Sequence, residues 1–175
     1  MTRRYTREEA KEFIAALERQ AREIIRISAM AEAQATKHSY DMYNEFRTKV
    51  SEFETFSIII ESRLRMLGTR HNDELQQQFE ALSMLMLNHL IKTSIKFFFV
   101  LSASPSLPLG ARDIFVEELR RIHMARERLN SPRFSSQLSD EMRHNLDLAE
   151  DILNEIIDKA PGLLNFGAPA AAAAS

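Results

Sequence analysis

The stretch AKEFIAALERQAREIIRISAMAEAQA, residues 10–35, decides the fold. Apolar or small residues recur in it at Ala10, Ile14, Leu17, Ala21, Ile24, Ser28, Ala31 and Ala35. The steps alternate four and three, the period that keeps one stripe of an α-helix against a neighbouring helix, as in a coiled coil. Just ahead of it, Thr6 and Glu9 have capping-box spacing. In that arrangement the hydroxyl and the carboxylate each satisfy a backbone amide left free at a helix start.

A second run, Tyr43, Phe46, Val50, Phe53, Ser57, Ile60, Leu64 and Leu67, keeps the same rhythm. Between Ala35 and Tyr43 the steps are four and four through Ser39, a stutter that lets a helix continue with local unwinding. Ser39 and Asp41 are also competent helix caps, so residues 36–41 form either a bend or a turn. With neither Gly nor Pro present there, the reading favours one long kinked helix over 6–67. Unbroken, it would reach about 90 Å, more than the shorter helices that follow can cover. The seam residues Ile14, Leu17, Ile24, Tyr43, Phe46, Val50, Phe53, Ile60 and Leu64 are therefore expected to meet a second copy or a partner helix. The aromatic stripe Tyr40, Tyr43, Phe46, Phe53 and Phe56 reads as core, or as a groove for a partner helix.

The rest of the chain is divided by its breakers. Among 175 residues there are four glycines and five prolines, at Gly68, in 105–110, at Pro132 and in 161–169. Helices are expected between them. The expectation is an all-α protein: an elongated helical bundle forming a single domain over 1–166. A long N-terminal coiled-coil-like helix or helix pair (6–67) precedes a central helix (73–102) and helices at 111–130 and 139–160. The Ala-rich tail, 167–175, is expected to be disordered. Over 73–102, Glu74, Gln77, Gln78, Asn88, His89, Lys92 and Lys96 share one polar arc, with Leu85 and Phe99 intruding. That describes a bundle helix with a narrow wet strip. Lys92 and Lys96 break the run that ends Phe97–Leu101, the segment that would otherwise meet a membrane or a hydrophobic ligand.

The absence of cysteine excludes disulfides, thiolate metal sites and thiol catalysis. A formal net charge of −2 argues against general nucleic-acid binding. Met1–Tyr5 has basic residues without an apolar stretch behind them, so no secretory signal is read and the expected location is cytoplasmic. Residues 111–134 carry six Arg against four acids, and 139–160 carry seven acids against Arg143 and Lys159. Two neighbouring helices with complementary rims explain this, and an acidic face for a basic partner is the alternative.

No catalytic constellation is legible. Glu141-x-x-His144 is half of a di-iron motif without its second half, and phosphate-binding loops, His-Glu-x-x-His and Gly-x-Ser-x-Gly are absent. No cofactor or metal is expected. The segment His89-Leu90-Ile91-Lys92-Thr93-Ser94-Ile95-Lys96 resembles the phosphoacceptor helix of histidine kinases, where a His precedes Lys by three residues and small polar residues follow. That resemblance implies His89 as a phosphoacceptor with Lys92 and Lys96 beside it. Without a nucleotide-binding domain, phosphate would come from another protein of a two-component pathway. The leading expectation is a non-enzymatic scaffold, adaptor or oligomerisation module. Its partners would be a second copy (a dimer), another protein, or both, rather than nucleic acid, membrane or small molecule.

Overall fold

The computed structural model describes residues 6–35, 41–67, 73–102 and 111–159. Among them are five α-helices and no strand: α1 (Arg7–Ala35), α2 (Asp41–Leu67), α3 (Asp73–Ser102), α4 (Ala111–Leu129) and α5 (Asp140–Lys159). A 3-10 turn, Ser135–Gln137, lies between α4 and α5. The protein is an all-α helical bundle, as its breaker pattern requires. Residues 36–40, within the segment read as a bend or a turn, and the Ala-rich tail lie outside the described residues.

The caps form as their residues dictate. Thr6 N donates to Glu9 Oε2 at 2.9 Å, and Glu9 N donates to Thr6 Oγ1 at 3.2 Å. The two bonds close the capping box at the start of α1. At α5, Met142 N donates to Ser139 Oγ at 3.2 Å, satisfying another amide that helical bonding leaves free.

The favoured single helix over 6–67 is corrected. Helices α1 and α2 are separate and pack side by side. Twenty-nine residues make α1 about 44 Å long, whereas the short connection to α2 can span only about 20 Å. The two helices must therefore run antiparallel. Phe13 near the start of α1 meets Phe56 late in α2, with ring centroids 6.2 Å apart. Folding back lets each apolar stripe cover the other, which removes the need for an outside partner to cover a rod.

Helix α3 is central, packing against α1, α2, α4 and α5. Leu75, Phe79, Leu90, Ile91 and Ile95 bury along it, while Leu85 and Phe99 stay exposed on the expected wet strip. Phe97 and Phe98 are also buried, so these two side chains of the apolar run are used inside the bundle. Helix α4 buries Leu119, Ile122, Ala125 and Leu129, and α5 buries Leu146, Ala149 and Leu153.

Arg133, in the loop after α4, fastens two helices at once. It pairs with Glu61 of α2 and donates from Nε to Glu80 of α3 at 2.9 Å. Asn145 Nδ2 of α5 donates to Asn88 Oδ1 of α3 at 2.8 Å, both buried. The rims of α4 and α5 meet through Arg126 and Glu150 at 2.9 Å.

Candidate functional site

The seam that was expected to face outward is the protein's own core. Ile14, Leu17, Ile24, Tyr43, Phe46, Val50, Phe53, Ile60 and Leu64 are each 7% exposed or less. None of the nine is free for another chain, because α2 lies on α1 and α3 closes over both. As a docking surface this set is withdrawn. The stripe was read correctly, but its partner is intramolecular.

His89 sits half-buried where α3 meets α1. Its Nε2 lies 2.6 Å from Ser28 Oγ, and that hydroxyl also donates to the Ile25 carbonyl at 2.8 Å. With the Ser28 proton used on Ile25, the contact is satisfied by the tautomer carrying its proton on Nε2. Burial holds the imidazole below its ordinary value; Glu32 and Glu141 oppose this while Lys92 and Lys96 add to it. The lysines proposed to steady a phosphoryl group are engaged: Lys92 with Glu141 at 3.0 Å and Lys96 with Glu32 at 2.5 Å. This clasp ties α1, α3 and α5 together. Glu141 and His144, the half-motif, are both exposed on α5.

A second polar cluster joins α2, α3 and α4, and nothing in the sequence pattern singled it out. Glu118 of α4 is fully buried. Tyr43 Oη donates to its Oε2 at 2.6 Å and Ser94 Oγ donates to the same oxygen at 3.0 Å. Arg47 Nε stands 2.5 Å from Oε1. The N–H is out of line for a hydrogen bond there, so the contact is an ion pair without that directionality. Burial, then the Glu118 charge, push the Tyr43 phenol well above its ordinary value; it remains a donor. Its ring stacks on Phe97 with centroids 3.6 Å apart. Glu118, Tyr43 and Ser94 are enclosed by protein, and Arg47 alone of the four reaches the surface, 17% exposed; the cluster's chemistry is positional, setting how α4 sits on α2 and α3.

Beyond the cluster, Arg121 of α4 reaches across to α2. It donates to Ser51 Oγ at 3.1 Å and to the Arg47 carbonyl at 3.4 Å. These acceptors are neutral, and among the described residues Arg121 makes no ion pair. It forms one edge of a shallow trough of about 790 Å³ along the outside of α2. Asn44, Thr48, Ser51 and Thr55 line it along α2, Arg47 stands with Arg121, and Gln20 of α1, Glu52, Phe56 and Ile59 complete the lining.

The trough is the polar half of a longer stripe. Asn44, Thr48, Ser51, Thr55, Ile58, Ile59, Ser62 and Met66 share an arc about 100° wide on a helical wheel, and none is charged. The buried residues of α2 occupy the opposite side of the helix. Ile58 is 64% exposed and Met66 is 70% exposed. Met124 of α4, 63% exposed, adds a further apolar side chain on the flank that Arg121 occupies. Thr48, Ser51 and Thr55 each turn their hydroxyl back to the carbonyl four residues earlier. That leaves low, uncharged bumps rather than long side chains. The signal was present in the sequence as a charge-free arc opposite the heptad, but a search for apolar residues passes over serines and threonines.

Among the described residues no group of three or more His, Cys, Asp or Glu is placed to hold a metal ion, and no helix is long and apolar enough to cross a membrane. Comparison with protein-family models, with curated proteins and with solved structures gives no match for this chain, so its function is read from the residues themselves.

Proposed function

We propose that the protein is a non-enzymatic interaction module that receives another protein's helix on the outer face of α2. The observation that carries this reading is the uncharged stripe from Asn44 to Met66, with Ile58 and Met66 mostly exposed at its apolar end. A helix face in water is ordinarily covered by Glu, Lys and Arg. Serine, threonine and asparagine are poorer helix formers than these, by a few tenths of a kcal/mol each. Placing five such residues on the exposed side of one helix lowers its stability and adds little solubility. Small uncharged side chains do allow a second helix to approach closely, and exposed Ile and Met reward that approach.

The test is a differential capture from cells that make the protein. Wild type is compared with the Ile58→Glu/Ile59→Glu variant and with Arg19→Glu, an exposed change on α1. The reading expects at least one protein, copies of the chain itself included, to be retained by wild type and Arg19→Glu and lost from the double variant. Equal capture by all three overturns it.

A further inference from the structure

We infer that the occupant of the α2 face is a second copy of this chain, with the two α2 helices parallel about a two-fold axis running along them. The inference rests on the reading of that face as a docking surface and adds the identity and orientation of the partner.

The first argument is charge. The edges of the stripe differ in sign. On the α4 side stands Arg121, hydrogen-bonded to neutral acceptors, with the half-buried Glu54 near enough to feel its charge. On the α1 side stand Gln20 and Glu52, with Glu23 of α1 close enough to Lys49 to feel its charge. A parallel two-fold puts the basic edge of each copy against the acidic edge of the other, at the same height along α2. An antiparallel two-fold instead sets like edge on like edge, arginine against arginine. Glu52 and Glu23 bond to Lys49 and Arg26 within their own helices. Exposed pairs of that kind contribute little, so these carboxylates can turn to a new partner at small cost.

The second argument is the gradient along the stripe. Its first half is Asn44, Thr48, Ser51 and Thr55, and its second half holds Ile58, Ile59 and Met66 around the single hydroxyl of Ser62. Parallel packing stacks hydroxyl on hydroxyl and aliphatic on aliphatic. Antiparallel packing about Thr55 would set Met66 against Asn44 and Ile59 against Ser51, burying polar groups beside apolar ones without partners. The steps 44, 48, 51, 55, 58 and 62 alternate four and three, a second heptad on the opposite side of the helix from the first. A lone Asn in such a seam favours the register in which it meets its own copy.

The absence of native cysteine makes the test clean. Sedimentation of the full chain up to tens of micromolar is expected to show a dimer. Asn44→Cys and Met66→Cys, each alone, should form disulfide-linked dimers under mild oxidation, and an equal mixture of the two should give no 44–66 cross-link. Glu52→Arg should dissociate the dimer, and adding Arg121→Glu to it should restore assembly. A monomer throughout that range, or cross-linking confined to the 44–66 mixture, overturns the inference. Should the chain be monomeric while the Ile58→Glu/Ile59→Glu variant still loses a captured protein, the partner is a different molecule and the docking face itself stands.

Discussion

Helices α1 and α2 share one inner design and differ on the outside. Both turn a stripe with alternating four-three spacing toward the core, and both stripes are buried almost completely. The outer side of α1 is charged and laced with its own short pairs: Glu8 with Lys11, Glu18 with Arg22, Glu23 with Arg26. Such a face is content in water. The outer side of α2 keeps its charges off the midline and presents Thr48, Ser51, Thr55, Ile58, Ile59 and Met66 instead. The difference teaches that a heptad stripe locates a core and says nothing of a partner. A partner is indicated by what the exposed side lacks.

The comparison breaks hardest on the inside. Truncating either inner stripe, Leu17→Ala on α1 or Phe46→Ala on α2, should cost about 2–5 kcal/mol in chemical denaturation. Glu118→Ala should fall in a similar range, about 3–5 kcal/mol, because Arg47 would lose its counter-charge and Tyr43 and Ser94 their acceptor. If Glu118→Ala is nearly neutral, the cluster does not position α4.

Arg133→Gln probes the clamp from the loop onto α2 and α3, and should cost about 1 kcal/mol at neutral pH after solvent screening. Burial pushes the Glu61 carboxyl upward, but Arg133 and then Arg65 outweigh it and hold the group below its ordinary value. A lowered carboxylate stabilises the fold above its unfolded value and loses that contribution as pH falls through its folded value. The gap between wild type and Arg133→Gln should therefore narrow in acid.

On the outside, Ile58→Glu/Ile59→Glu should abolish assembly and, compared at concentrations where both proteins are monomeric, alter folding stability by no more than about 0.5 kcal/mol. A large loss of stability would show those residues to be core. The smallest effect belongs to Glu54, on the α4 side of α2. Burial holds its carboxyl above the ordinary value against the pull of Arg121 and Arg128. A raised carboxyl supports the fold when protonated and loses that support as pH rises through its folded value. Glu54→Gln should melt slightly higher than wild type at neutral pH, with the difference closing below the ordinary value of 4.5.

Much of the bundle was legible residue by residue. The capping box at Thr6–Glu9, the apolar stripes and most of the wet strip of α3 follow from local chemistry and helical period, though Asn88 of that strip is buried against Asn145. The fold-back between α1 and α2 was not, because 36–41 contains no breaker and a stutter is compatible with either bend or turn. The site was less legible than the fold. Nine residues were nominated for a partner because a stripe on an imagined rod must be covered, and the same stripe is covered at home once the rod folds in two. Glu118 could not be picked from the other acids of α4, since a carboxylate that bonds Tyr43, Ser94 and Arg47 is defined by three residues distant in sequence. The outer stripe of α2 was written in the sequence as missing charge, a negative signal that gains meaning only when that side is seen to stay exposed.

By itself, the sequence determined that this protein is helical, where its helices start and stop apart from the break between α1 and α2, and which side of each is apolar. Those properties depend on neighbours within about one helical turn, where cap geometry and side-chain period act directly. Only the tertiary structure decided which apolar sides satisfy one another, which carboxylate is enclosed, and which face of α2 remains open. The physical reason is that burial belongs to pairs of surfaces: a stripe can be covered equally well by its own chain or by another, and only the path of the backbone chooses between them.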